Sequence, residues 1–236
     1  MSTIAAAITN ERRAHPHTWQ TQPWARATRR LGRHWVISRH VDGYCDPLTI
    51  EGQEHLAGIR GPVIITPNHS SHFDTPVTLS VLPEPIRSRI AVAAAADKFY
   101  VPGKKTWWYS LFFNAFPIER GGGSAALDYA TTLLQKRWSL VVFPEGTRSQ
   151  NGTIGQFHHG VSLLAARANV PVVPVYLTGL RNVMPKGQRT PQPAAVSVKI
   201  GAPVWLDGLA IPDGTAKLER AMRELAGERV ETLAAA

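Results

Sequence analysis

The chain has 236 residues, 44% hydrophobic and 18% charged, which fits one folded domain with room for a small appendage and excludes a disordered polymer. A formal charge of +9 favours an anionic partner: a phospholipid surface, a phosphorylated substrate or a nucleic acid. Cys45 is the single cysteine, so no intrachain disulfide is possible, and a reducing compartment fits.

In chain order, residues 1–21 read as a polar, irregular tail. Glu11-Arg12-Arg13 interrupts its short Ala/Ile stretch, so the N-terminus does not resemble a signal peptide. No run approaches the roughly 18 apolar residues of a spanning helix; even Ile90–Ala96 stops at Asp97. The expectation is a cytoplasmic protein whose membrane contact is peripheral. Residues 23–41 carry that contact. No acidic residue lies between Glu11 and Asp42, while Trp24, Leu31 and Trp35 recur on one helical face. Arg26, Arg29, Arg30 and Arg33 lie mostly on other faces. Such a helix suits an interface where indole sits at headgroup level and arginine meets lipid phosphate. The competing expectation is a helix that packs its tryptophans on the domain and solvates its arginines. Residues 1–41 are therefore set apart as a tail and interfacial segment, and residues 42–236 as the main domain.

That domain alternates strands and helices. Strands are predicted at 48–51, 63–66, 90–95, 115–118, 140–143, 172–177 and 196–200, all rich in Val and Ile. Helices are predicted at 75–82, behind Asp74 as a possible N-cap, and at 124–137, 161–168 and 215–233. The alternation predicts an α/β layered domain with a mixed, mainly parallel sheet flanked by helices. The stretch 185–193 reads as an exposed basic loop.

Four short blocks stand at or inside the strands. They are Asn68-His69-Ser70-Ser71-His72-Phe73-Asp74, Phe116-Pro117-Ile118-Glu119-Arg120-Gly121, Phe143-Pro144-Glu145-Gly146-Thr147-Arg148-Ser149 and Val170-Pro171-Val172-Val173-Pro174-Val175. His69 and Asp74 are five apart, the wrong spacing for one helix face. On a strand-to-helix turn the acid can instead hold one imidazole nitrogen as N–H and leave the other to accept a proton. That is a base and its orienter without a protein nucleophile. Gly146 permits close ligand approach. Arg148 offers a planar fork for phosphate oxygens, and Thr147 and Ser149 add hydroxyls. Glu145 would repel phosphate, so it is expected to orient Arg148 or a substrate hydroxyl. His72, His158 and His159 invite a metal reading, but no close spacing fixes a third and fourth ligand, and no metal is expected. Gly121-Gly122-Gly123 lacks the spacing of a Walker or dinucleotide loop, so no nucleotide cofactor is assigned.

These four blocks, in this order, resemble the glycerolipid acyltransferase family, which includes 1-acylglycerol-3-phosphate acyltransferase; the resemblance covers roughly residues 48–206. It implies that His69 deprotonates an acceptor hydroxyl as it attacks an acyl thioester, with Asp74 holding the imidazole. It further implies that Arg120, Glu145, Gly146 and Arg148 bind the acceptor, with Thr147 shaping the site, and that Pro171 and Pro174 shape a strand edge and the acyl pocket. The co-substrate is then acyl-CoA or acyl carrier protein, the acceptor a lysophospholipid at an anionic membrane surface, lysophosphatidic acid first and glycerol-3-phosphate or another lysolipid as the alternative, and no nucleic acid is expected. Phe157-His158-His159-Gly160 departs from the family, where many relatives carry a lysine before the glycine. A non-catalytic basic protein binding lipid or nucleic acid is the competing class. It would have no need of His69 and Asp74 at the foot of a strand.

Overall fold

The fold is that of a computed structural model, which describes residues 17–100, 106–118, 124–185, 187–188 and 190–228. Among these, seven strands form one sheet: β1 Cys45–Glu51, β2 Ile64–Pro67, β3 Ile90–Ala95, β4 Ala115–Ile118, β5 Ser139–Val141, β6 Val172–Thr178 and β7 Ala194–Ile200. Their order is β1-β7-β6-β2-β5-β3-β4. Every pairing is parallel except β6 with β7, so β1 and β7 run against the rest. The mixed, mainly parallel α/β sheet expected from the alternation is thus present, and each predicted strand is found.

The apolar runs are continuous because both faces are covered. Ile65, Val141 and Val173 pack on one face with Ile37, Val41, Leu56, Val77 and Leu79. Their chain neighbours Ile64, Leu140 and Val172 point to the other face, with Leu133, Leu134, Leu164, Leu218 and Met222. Each fully buried side chain of this size stabilises the fold by about 1.5–3 kcal/mol. The longer helices are α1 Pro23–Arg33, α2 Asp74–Val81, α3 Thr106–Phe112, α4 Ser124–Gln135, α5 Gly160–Ala168 and α6 Ile211–Ala226. A π-helical turn, His34–Ser38, and the helix Arg39–Tyr44 carry α1 straight into β1. Ile37 and Val41 of this stretch belong to the core of the main domain.

Helix ends differ from the predicted ones for local reasons. The helix α4 stops at Gln135 and Arg137 takes a left-handed φ of 62°, turning the chain into Trp138 and β5. The helix α6 starts four residues early, with Pro212 in its first turn, and ends at Gly227, whose φ of 80° is a left-handed cap. The helix α3 was not predicted, because Trp107-Trp108-Tyr109 shows no polar face. It is held by close approach to α1: a Cβ on Gly32 would lie 2.7 Å from Phe112 Cε1. Cys45 starts β1 buried, and burial, then Asp42, pushes its thiol up to about 11, which fits an unreactive core residue.

Pro171 and Pro174 do not shape a sheet edge as expected. Pro174 lies in β6, between β2 and β7, opposite Thr66. The ladder to β7 lapses there: it ends at Val175↔Ile200, Gly201 N–H donates to the Pro174 carbonyl at 2.9 Å, and pairing resumes only as a bridge between Val172 and Val204. A residue without an N–H is tolerated in an inner strand at such a lapse.

Candidate active site

The strands β2 and β5 are parallel neighbours, so the turns that follow them leave the same edge of the sheet. The first turn is launched by Asn68. Its side chain pairs with Leu177, accepting from the backbone N–H at 2.7 Å and donating to the carbonyl at 3.1 Å, which extends the β2–β6 contact by one residue. The chain then reverses through His69–Phe73 into α2. Asp74 is fully buried and opens α2, but it does not cap the helix. Its Oδ2 points back into the turn and accepts from Ser70 N–H at 2.6 Å, Ser71 N–H at 2.8 Å and His69 Nδ1 at 2.7 Å. The spacing of five works because the turn wraps round this one oxygen. Nδ1 faces the carboxylate and so carries the proton, which leaves Nε2 as the acceptor. The ring is partly exposed and stacks on Phe143, with centroids 4.1 Å apart.

The second turn clamps the first. Glu145 is buried, with Oε1 accepting from His69 N–H at 2.8 Å and Oε2 from Gly155 N–H at 2.9 Å. Ser149 N–H donates to the His69 carbonyl at 2.7 Å, so the peptide groups on both sides of the His69 Cα are fixed from across the site. Burial pushes the Glu145 carboxyl above its usual range, and the two amides pull it part of the way back. Glu145 thus orients the His69 turn, and among the described residues it makes no hydrogen bond or ion pair with Arg148. Gly155 leaves room for it, since a Cβ there would lie 2.9 Å from Oε2.

Gly146 adopts a φ of 63° under the ring of His158, and Thr147 is exposed. Arg148 keeps Nη1 buried with no protein partner among the described residues. His72 is held toward its neutral form, by partial burial first and then by the charge of Arg148 and of His69. His69, His72 and Arg148 are therefore gathered on the two turns, with His158 packed beside them over Gly146. His159 is not with them: its Nδ1 meets Thr215 Oγ1 of α6 at 3.0 Å. Among the described residues no three His, Cys, Asp or Glu side chains are grouped as a metal site would need. Arg120 lies outside the described residues.

The N-terminal helix matches neither of its two expectations in full. Trp24, Leu31 and Trp35 are 56%, 73% and 74% exposed, as the interfacial reading requires. Arg30 is also exposed, with Nε 3.4 Å from Glu84, and Arg26 lies over Trp138 at 5.9 Å. Arg29 and Arg33, expected beside them at the surface, are instead 2% and 7% exposed. They turn inward to carbonyls at the end of α3, Arg29 Nε to Leu111 at 2.7 Å and Arg33 Nε to Phe112 at 3.0 Å. Trp107 and Trp108 of α3 add to the exposed aromatic surface. Among the described residues no helix is long and apolar enough to cross a membrane.

Sequence reasoning placed Asn68, Phe143 and Ser149 inside the blocks without giving them these roles, and it missed Gly155 entirely. Only the block boundaries hinted at the first three, and no spacing rule pointed to Gly155.

Known proteins share sequence and fold with this chain. A family model described as Acyltransferase matches residues 47–178. The 1-acyl-sn-glycerol-3-phosphate acyltransferase of Cocos nucifera is 30% identical over 201 residues, covering 78% of this chain and 59% of that protein. The 1-acyl-sn-glycerol-3-phosphate acyltransferase alpha of Mus musculus is 29% identical over 178 residues, covering 74% and 60%. The chain thus spans about three fifths of the length of these curated relatives. In three dimensions it is similar to the crystal structure of the 1-acyl-sn-glycerophosphate acyltransferase PlsC of Thermotoga maritima, with a TM-score of 0.60 at 24% identity, covering 94% of this chain and 89% of that one. That likeness shows a shared fold.

Proposed function

Because this chain belongs to the acyltransferase family, we propose that it moves a fatty acyl group from an acyl thioester, acyl-CoA or acyl carrier protein, to the hydroxyl of a lysophospholipid. The first choice of acceptor is 1-acyl-sn-glycerol-3-phosphate, which gives phosphatidic acid; relatives bearing that activity in their names support it. The observation that carries the reading is the 2.7 Å contact of His69 Nδ1 with buried Asp74, which leaves Nε2 free on the same edge as Arg148.

The acceptor hydroxyl gives its proton to His69 Nε2 as its oxygen bonds to the thioester carbonyl carbon. Asp74 holds the ring and favours the imidazolium that forms. The carbon–sulfur bond then breaks, the acyl group stays on the acceptor oxygen, and the thiolate takes the proton from the imidazolium and leaves as thiol. No covalent acyl-enzyme forms. Arg148, with its unpartnered Nη1, and Arg120 receive the acceptor phosphate, while Gly146 and Thr147 shape the turn around it. Glu145 is a positioning residue that acts through the backbone of His69.

The exposed Trp24, Leu31, Trp35, Trp107 and Trp108 support docking on the inner face of a membrane from the cytoplasm. On this reading residues 1–41 serve the interface and 42–236 the chemistry, although Ile37 and Val41 are packed into the common core. The test is release of free thiol from acyl-CoA, measured with lysophosphatidic acid, glycerol-3-phosphate and other lysolipids in turn. Thiol release that requires an acceptor and ranks lysophosphatidic acid first is expected. Release indifferent to every acceptor would overturn the proposal.

A further inference from the structure

Between α1, the end of α2 and the single turn Glu84–Arg87 lies a cavity of about 330 Å³. Among the described residues that line it, Arg26, Arg29, Arg30, Arg33 and Arg87 bring guanidinium groups and Glu84 the lone carboxylate. Glu84 is engaged by Arg30 at 3.4 Å and by Arg87 at 3.2 Å. Neither Arg29 nor Arg33 has an ion pair among the described residues. Their neighbours are carbonyls: Leu111, Gln20 and Ser110 for Arg29, Phe112 and Arg87 for Arg33. After those bonds Arg29 Nη1, Arg33 Nη2 and Arg26 Nε remain buried without a partner among the described residues.

Buried guanidiniums are costly unless a counter-charge meets them. Here burial, and then neighbouring arginines, lower Arg29 to about 10 and Arg33 to about 9; both stay charged at neutral pH. Carbonyls alone would explain two anchoring arginines. They do not explain five guanidiniums, three unpartnered nitrogens and an open volume about ten times the share of one water molecule. A shallower pocket, lined by Leu31 and Trp35, shares Arg30, Glu84 and Arg87 with this one, so the cavity adjoins the exposed apolar face. It is not the active site. Leu79 and Ser80 line it near the C-terminal end of α2, about 9 Å along the helix from Asp74.

We propose that this arginine-lined cavity binds one phosphate group, and that the acyl-transfer site is therefore not the only anion site of the chain. The ligand chemistry is a phosphate ester or free phosphate held by forked, charge-assisted hydrogen bonds. Its source is either the headgroup of an anionic phospholipid or phosphate in solution. Only the lipid source rests on the membrane reading above, and neither source depends on acyl transfer.

The test uses the full chain carrying Arg120→Ala and Arg148→Ala, so that the acceptor site does not contribute and turnover is irrelevant. Inorganic phosphate is titrated calorimetrically at constant ionic strength. Arg26→Gln with Arg30→Gln, both outside the core, is expected to weaken binding about tenfold, the scale for losing charge-assisted hydrogen bonds. Glu84→Gln should tighten it, an outcome that mere loss of fold does not produce. The second arm is sedimentation with vesicles of phosphatidylcholine, with and without phosphatidylglycerol. Parallel loss of phosphatidylglycerol-dependent sedimentation in the double variant identifies a headgroup site. Loss of phosphate binding with unchanged sedimentation identifies a site for soluble phosphate. Phosphate binding that is absent from the chain carrying Arg120→Ala and Arg148→Ala, or that neither variant set alters, overturns the proposal.

Discussion

The turns at the foot of β2 and β5 and the cavity under α1 both hold buried charge, and they surround it in opposite ways. Asp74 takes N–H donors from Ser70 and Ser71, four and three residues away in its own turn. Arg29 and Arg33 take carbonyls from α3, 82 and 79 residues away. The first arrangement is written locally, so its chemistry can be read from a short block. The second depends on where a distant helix ends, and no local pattern announces it. On the readings proposed above the difference also separates function: the turn would present one free imidazole nitrogen for a reaction, and the cavity fixed positive charge for binding.

The largest expected effect breaks the first region alone. His69→Ala should lower turnover by about 10²–10⁴, the usual worth of a positioned general base. It should leave thermal unfolding nearly unchanged, because the ring is partly exposed and its backbone contacts survive. Asp74→Asn should also be severe, since an amide can hold the ring in the wrong tautomer. It would also put the N–H donors of Ser70 and Ser71 at risk of facing an NH₂ group. Undiminished thiol release by folded His69→Ala would sink the mechanism.

Glu145 comes next. It tests whether the second turn acts through the first. In Glu145→Gln one of two backbone N–H donors, His69 or Gly155, faces an NH₂ group instead of an oxygen. An unsatisfied buried donor costs about 1–3 kcal/mol, or roughly tenfold to a hundredfold in an equilibrium. If it misplaces His69, kcat falls while the acceptor KM changes little; a rise in KM alone would instead make Glu145 a substrate ligand. A pH signature accompanies it. Burial raises the Glu145 carboxyl above its unfolded value, so between the two values the native state binds more protons than the unfolded state. Stability therefore falls as pH rises through that window, and the glutamine variant should lack this contribution when unfolding is followed across it.

How far the sequence could be read follows the same division. Every strand was legible, because the Val/Ile runs stay apolar on both faces of a covered sheet. Asp74 and His69 were legible from the strand-to-helix turn between them. Glu145 was placed at the site, but its bonds to His69 and Gly155 were not foreseen, because those partners are 76 and 10 residues away. Arg29 and Arg33 were assigned to the surface for a related reason. Helical periodicity showed a face distinct from Trp24 and Trp35, and an arginine face is ordinarily solvated. That α3 would present its terminal carbonyls to that face was not visible, since α3 itself, an aromatic run, carried no helical period. Pro174 misled in the opposite sense, because a proline within a strand ordinarily marks an edge.

The contact between α1 and α3 can be tested with less disturbance than by removing a buried arginine. Gly32→Ala adds a Cβ at 2.7 Å from Phe112 Cε1. Overpacking of this kind costs about 1–3 kcal/mol, read as a lower midpoint in denaturant unfolding. The expected loss is partial, because the Phe112 ring can shift and the cores on either side of the sheet stay filled. A Gly32→Ala protein as stable as the parent would mean that α1 does not need this close approach.

The smallest effect on stability, and the sharpest on location, belongs to the exposed tryptophans. Trp24→Ala with Trp35→Ala should change the unfolding free energy by less than about 0.5 kcal/mol, the range for surface substitutions away from packed features. Both side chains are more than half exposed, and among the described residues Trp24 stacks on Trp19 alone. On a bilayer the same change removes most of the apolar area that α1 and the following π-helical turn offer, at about 25 cal/mol per Å² of buried surface. Vesicle binding at high salt should therefore fall about tenfold or more, because salt screens the arginine contribution and leaves the apolar one. At low salt with anionic lipid the loss should be smaller, since Arg26 and Arg30 still meet headgroup charge. Activity should follow the same order, falling more on an acceptor embedded in vesicles than on a short, soluble one. Equal loss on both acceptors, with a matching loss of stability, would mean that the indoles support the fold after all and that the exposed face of α1 does not dock.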